Sequence, residues 1–228
     1  MNRRPQGVAT LEFLLAGMLV LLPLSFGVLE LAQLTVARNA LDFAVFDAAR
    51  VGSVTGASQA RMRMALARAL VPLYAPIDLL ATLRGNTPSG AGATEVAGRA
   101  LARATLEVQR PDLTRLVIEN PTAAAVADFA VYEDGRQVIP NDGLEVRNPF
   151  GAASRQTLRD ANVLAIRVRH CRTLVMPGIR EALPVLLRWA MPDPFDQLCL
   201  AQGRLPIEAS AVIHMQSSAL AEEVGGGR

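Results

Sequence analysis

The chain has 228 residues, 51% of them hydrophobic, with a mean hydropathy of +0.26; that length suits one globular domain plus an anchor, or two small domains. A net charge of +2 is too small to argue for a nucleic-acid partner, and with aromatics at 4% any core must be built mainly from Ala, Leu and Val. All 23 basic residues are Arg, which fits a genomic compositional bias, because Arg also occupies ordinary surface-like positions.

Met1 to Gln6 is short, polar and basic, carrying Arg3 and Arg4. Phe13 to Leu29 follows as seventeen residues without a charge, roughly 26 Å of helix at the usual rise. With its apolar flanks, Val8 to Leu34 reaches the roughly 30 Å of a hydrocarbon core. Arg3 and Arg4 precede the span, so the N-terminus is expected in the cytoplasm and the remainder in a periplasm-like space. A cleaved secretory signal peptide is the first alternative. Against it, the apolar run is longer than a usual h-region, Glu12 interrupts it near its start, and no A-x-A site ends it. Thr35, Val36, Ala37 and Arg38 instead continue a helical pattern.

A plain signal anchor is the stronger alternative, and Glu12 weighs against it. An ionisable side chain in an apolar helix costs on the order of 2.5–3.5 kcal/mol at the bilayer centre, less near an interface. Glu12 stands five residues after Gly7, which ends the basic leader. Cleavage after Gly7 would make Val8 the new N-terminus and Glu12 the fifth residue. The new α-amine of one subunit could then pair with the Glu12 carboxylate of its neighbour inside the membrane. Such a pair offsets two desolvation penalties and fixes the axial register between subunits. Removing Arg3 and Arg4 leaves 21 basic against 21 acidic side chains.

The helix is expected to continue beyond the membrane. Leu34, Ala37, Leu41, Ala44, Val45 and Ala48 keep helical spacing as far as Arg50. Pro23 should kink the apolar part, because it lacks a backbone donor, with Gly27 adding slack. Gly52-Ser53 and Gly56 mark the end or a break. Glu30 is read first as the outer edge of the span, its carboxylate reaching water, with a packing or ion-pair role as the second reading.

Ser58 to Leu70 reads as a second helix with Ser58 as N-cap, Arg61, Arg63 and Arg68 as a solvated face, and Pro72 and Pro76 closing it. Gly85 to Gly92 is a loop. Seven strands are then expected: Thr105 to Gln109, Leu113 to Glu119, Phe129 to Tyr132, Gln137 to Ile139, Leu144 to Arg147, Val163 to Arg169 and Ile207 to Met215. Asp134-Gly135 signals a hairpin between two of them, and Glu181 to Trp189 suggests a short helix. The fold class is therefore α+β, a long N-terminal transmembrane and amphipathic helix followed by a small, mainly antiparallel sheet domain. Residues 1–7 form the leader, 8–52 the helix and 53–228 the outer domain.

Cys171 and Cys199 fall in the outer domain, where a disulfide is permitted. A bridge there would close a loop worth roughly 3–4 kcal/mol on the chain-entropy estimate. His170, Cys171, Cys199 and His214 could be drawn as a zinc set, but an adjacent His-Cys pair points to opposite faces of a strand. No metal or cofactor is expected. No spacing suggests a Ser-His-Asp triad, a P-loop or a dinucleotide turn. Gly225 to Gly227 is a tail, and Asp193 and Asp196 serve a turn beside Pro194.

The order of basic leader, Gly7, Val8 and then Glu12 at the fifth mature position resembles a prepilin processing site. Asn39-Ala40-Leu41 and Ala48-Ala49-Arg50-Val51-Gly52 resemble the run that follows the membrane helix in the TadE-like pseudopilins of the tight-adherence (Flp) pilus system. Glu30 resembles that family's Glu near the outer end of the helix, although Leu31, Ala32 and Gln33 replace its usual aromatic-Gly-basic run. Leu205-Pro206-Ile207 and Met215-Gln216-Ser217 resemble its closing strand. About 60 residues carry the likeness. It implies a single-pass bacterial inner-membrane protein, not an enzyme, cut after Gly7 by a prepilin peptidase and working with related minor pseudopilins and the pilus machinery. Two other expectations stand beside it: a minor pseudopilin of a secretion system, and a signal-anchored periplasmic enzyme or sensor.

Overall fold

The computed structural model describes residues 8–75, 93–146 and 148–224. Gly7, the leader Arg3 and Arg4, Pro76, the Gly85 to Gly92 loop and the Gly225 to Gly227 tail lie outside the described residues. The fold is α+β: a long N-terminal apolar helix, then two small antiparallel sheets with short helices between their strands.

Helix α1 (Val8–Ala16) passes through one π turn (Gly17–Leu21) into α2 (Leu22–Val54). The irregularity expected at Pro23 takes this form. Pro23 has no N–H for the Leu19 carbonyl, and in the turn before it the Leu22 N–H bonds to the Gly17 carbonyl, five residues back. At the far end the Ala57 N–H closes on the Gly52 carbonyl at 2.9 Å. Gly56 and Ala57 there both adopt positive φ, 66° and 63°, the left-handed turn that commonly stops a helix.

The chain continues through α3 (Gln59–Ala69), α4 (Ala93–Gln109), β1 (Thr114–Asn120), α5 (Ala123–Phe129), β2 (Val131–Glu133), β3 (Arg136–Ile139), α6 (Leu158–Ala161), β4 (Val163–Thr173), α7 (Ile179–Leu187), α8 (Pro194–Ala201), β5 (Arg204–His214), β6 (Ala219–Leu220) and α9 (Ala221–Val224). It divides into two compact units: Met1–Ala37 with Cys171–Pro206, and Arg38–His170 with Ile207–Arg228.

The core of the second unit is organised by one stripe of α2. Leu41, Ala44, Val45, Ala48 and Ala49 are all 0% exposed, at the helical spacing of an inward face. Met62 and Leu66 of α3, Ala100, Ala104 and Val108 of α4, and Leu164, Ile166 and Val168 of β4 join them in one cluster. Small residues on α2 permit close approach. A Cβ at Gly52 would lie 2.5 Å from Met62 Sδ and 2.8 Å from Leu164 Cδ2.

One sheet has the order β1-β4-β5, with β4 central, and the other the order β2-β3-β6. Thr114 pairs with His170 and Ile118 with Ile166 across β1 and β4. On the solvent side Arg167 of β4 bridges Glu119 of β1 at 2.6 Å and Glu208 of β5 at 2.9 Å. These are exposed pairs, each worth at most about 1 kcal/mol. The hairpin expected at Asp134-Gly135 is present. Glu133 pairs with Arg136, and the two turn residues take φ of 49° and 78°, as a two-residue primed turn requires.

Several expectations are corrected. Thr105 to Gln109 is the last part of α4, not a strand. A five-residue window alternating apolar and polar residues fits either period, and the helix puts Leu106 outside at 66% exposure while burying Val108 at 1%. Leu144 to Val146 forms turns instead of a strand, and Arg147 lies outside the described residues. Ser58 occupies the N-cap of α3 without a side-chain bond; the Gln59 N–H instead donates to Glu223 Oε2 of α9 at 3.0 Å. Arg63 leaves the solvated face and donates to the Val108 carbonyl at 3.2 Å. Pro72 lies within a further helical turn over residues 71–75.

Candidate functional site

The feature that most needs a partner is the N-terminal helix. Leu11–Val54 is continuous helix, 44 residues long. Its most apolar stretch is only 6% buried, with Phe13 75% and Leu19 80% exposed. Leu11, Leu14, Leu15, Met18 and Val20 are also exposed. Apolar surface on this scale is stable only against lipid or other helices. One N-terminal helix is therefore long and apolar enough to cross a membrane.

Val8 opens α1. Glu12 follows one turn later on the exposed helix and makes no hydrogen bond or ion pair with any described residue. A carboxylate set among Leu11, Phe13 and Leu15 must find its counter-charge beyond the described residues, on this chain or another molecule, or reach an aqueous edge.

Glu30 behaves differently from the expectation. It does not reach water: it is 2% exposed. Its Oε2 accepts the backbone N–H of Met176 at 2.8 Å and that of Val175 at 3.1 Å. Oε1 has no partner among the described residues. One turn along the helix, Arg172 Nη1 donates to the Gln33 carbonyl at 2.8 Å. The carboxylate and the guanidinium thus tie the segment after β4 to the end of the apolar run. Sequence reading missed this clasp, although a signal existed. Glu30, Ala37, Leu41, Ala44 and Ala48 share one helical stripe, so Glu30 belongs to the inward face.

Cys171 and Cys199 form a disulfide with Cα atoms 5.3 Å apart. Both are fully buried. The bridge joins the end of β4 to α8 and encloses the segment that Glu30 holds. Arg204 adds a bond from Nη1 to the Cys171 carbonyl at 3.2 Å.

His170, considered above as a ligand, is a packed core histidine at 1% exposure. Its Nδ1 lies 2.8 Å from Thr114 Oγ1 and its Nε2 3.0 Å from the Tyr74 hydroxyl. Tyr74 donates to Glu107 Oε2 at 3.0 Å, and Thr114 donates to the Glu107 carbonyl at 3.0 Å. Arg103 approaches Glu107 at 3.6 Å and lies over the Tyr74 ring. This cluster satisfies polar groups in a closed core. Among the described residues no group of three His, Cys, Asp or Glu side chains is placed to hold a metal. A shallow depression of about 360 Å³ is lined by residues that include Tyr132, Arg136 and Glu222, and it holds no nucleophile set against a base.

No protein-family model, curated protein or solved structure matches the chain.

Proposed function

We propose that this chain is a non-enzymatic pseudopilin of the TadE-like kind, anchored in the bacterial inner membrane and acting in assembly of a tight-adherence pilus. The observation that carries the reading is Glu12, without a partner among the described residues and set near the start of a 44-residue helix whose apolar side chains face outward. A carboxylate in that position is costly for an isolated anchor and useful in a helix that must dock on its own kind. A prepilin peptidase cutting after Gly7 would free the Val8 amine. That amine, four residues from Glu12 in sequence, meets the Glu12 carboxylate of a neighbour shifted by roughly 6 Å along the axis. The pair sets the register, and the outward apolar side chains supply the packing. Related minor pseudopilins and the pilus machinery are the partners on this reading, with the disulfide-closed α+β part in the periplasm.

The test is direct. The full chain is produced with its prepilin peptidase and the mature N-terminus is read by mass spectrometry. A product beginning at Val8 is expected. An intact leader in cells with active peptidase would remove the reading.

A further inference from the structure

We infer that α7 is a second membrane contact, an interfacial helix that lays an apolar stripe into the outer leaflet beside the anchor; the inference rests on the membrane reading above. Within the first unit, α7 carries two apolar faces. Ile179, Leu183, Pro184 and Leu187 are buried or half-buried and face the protein. Ala182, Val185 and Leu186 lie at i, i+3 and i+4, one helical stripe, and Trp189, in the turn that follows α7, keeps the i+7 spacing; all four are exposed. Trp189 is 85%, Val185 66% and Leu186 62% exposed.

Two observations select lipid as the occupant. The first is position. The segment entering α7 is tied through the Val175 and Met176 N–H groups to Glu30, and Arg172 is tied to Gln33. Phe13 to Leu29, the uncharged run, ends at Glu30. The clasp therefore fixes α7 at the level where the hydrocarbon core gives way to head groups. The second is composition. Tryptophan is the side chain that favours this level, its ring apolar and its indole N–H wet. Arg188, exposed, caps the C-terminal end of α7 on the flank of the stripe, where a guanidinium group reaches lipid phosphates. The disulfide between Cys171 and Cys199 closes the segment, so α7 is presented as a fixed wedge instead of a loose loop.

Trp189 is the only tryptophan in the chain, so its fluorescence reports this contact alone. The full chain is reconstituted in vesicles of phosphatidylethanolamine and phosphatidylglycerol, with and without brominated acyl chains. Emission shifted to the blue, quenched by brominated lipid and shielded from iodide is the expected result. A Val185→Ser, Leu186→Ser double variant, altered only on the outward stripe, should move emission back to the red and restore iodide quenching. Red, iodide-accessible emission from the unaltered chain would overturn the proposal. Blue emission indifferent to brominated lipid would overturn it as well, because the stripe would then be covered by protein. Alkaline extraction of the same chain from vesicles separates the two readings. A chain that resists extraction while Trp189 stays wet loses only the α7 contact; a chain that is extracted loses the anchor and the α7 contact together.

Discussion

Removing the Glu30 carboxylate should release the segment it holds. Two backbone N–H groups, those of Val175 and Met176, converge on one buried oxygen at 3.1 and 2.8 Å. Hydrogen bonds to a charged acceptor contribute about 1.5–3 kcal/mol. In Glu30→Ala that contribution is lost, and the amides open to solvent more often. At tenfold per 1.4 kcal/mol, exchange at Val175 and Met176 should quicken roughly 10- to 150-fold. Glu30→Gln keeps an oxygen that can accept both bonds, now neutral, so its effect should be smaller, on the scale of about 0.5–1.5 kcal/mol for an uncharged bond. Hydrogen–deuterium exchange with mass spectrometry on the full chain in nanodiscs reads both variants. The amides of Leu164 and Ile166 in β4, which are fully buried elsewhere in the fold, should keep their rates. Unchanged exchange at residues 175 and 176 in Glu30→Ala would refute the clasp.

Glu12→Ala should insert in the membrane as before and fail in pilus assembly; normal piliation in that strain would take Glu12 out of the mechanism. Gly52→Ala should lower stability although alanine is the better helix former. Overpacking against fully buried Met62 and Leu164 costs about 1–3 kcal/mol, more than the roughly 1 kcal/mol of helix propensity gained, and a lowered urea midpoint at constant slope would register it. Replacing both Cys171 and Cys199 by Ser removes a cross-link over 28 positions of sequence, worth roughly 3–4 kcal/mol, and should open residues 171–206 to protease under conditions where the oxidised chain resists. Asp128 is held below the ordinary Asp value of 3.8, first by the Ser154 backbone N–H and then by the Ala153 N–H. A depressed folded value means that the ionised form stabilises the loop above about pH 3.8 and that this support is lost as pH falls through the folded value. The protection of the Ala153 and Ser154 amides, measured against their intrinsic exchange rates, should accordingly fall only in acid.

The one-dimensional features were legible in the sequence because each is a local repeat. A long uncharged run followed by a 3.6-residue stripe pointed to a helix over 8–52, close to the observed end at Val54, and named Leu34, Ala37, Leu41, Ala44, Val45 and Ala48 as its inward face, of which all but the half-buried Leu34 are buried. Asp134-Gly135 fixed its hairpin because the turn's positive φ values are a property of those two residues. The cysteine pair was expected from the outer placement that the basic leader implied, and the disulfide is present. Short segments were less secure. Thr105 to Gln109 reads as strand in isolation and as helix once the turns from Ala93 are included, since only the longer element buries Ala100, Ala104 and Val108 together.

Tertiary structure alone decided what each polar group bonds to. Ser58 satisfies the local rule for a cap, but the orphan N–H at the start of α3 is served by Glu223, 164 positions away. His170 and Cys171 are neighbours in sequence and separate in role, one locked to Tyr74 and Thr114 and the other to Cys199. Glu30 is the clearest case. Its position marked the outer edge of the span, but whether a carboxylate at the end of the apolar run points into water or into backbone depends on a segment almost 150 residues later. A buried charge is tolerated only where donors converge on it, and nothing in the local sequence around Glu30 supplies those donors.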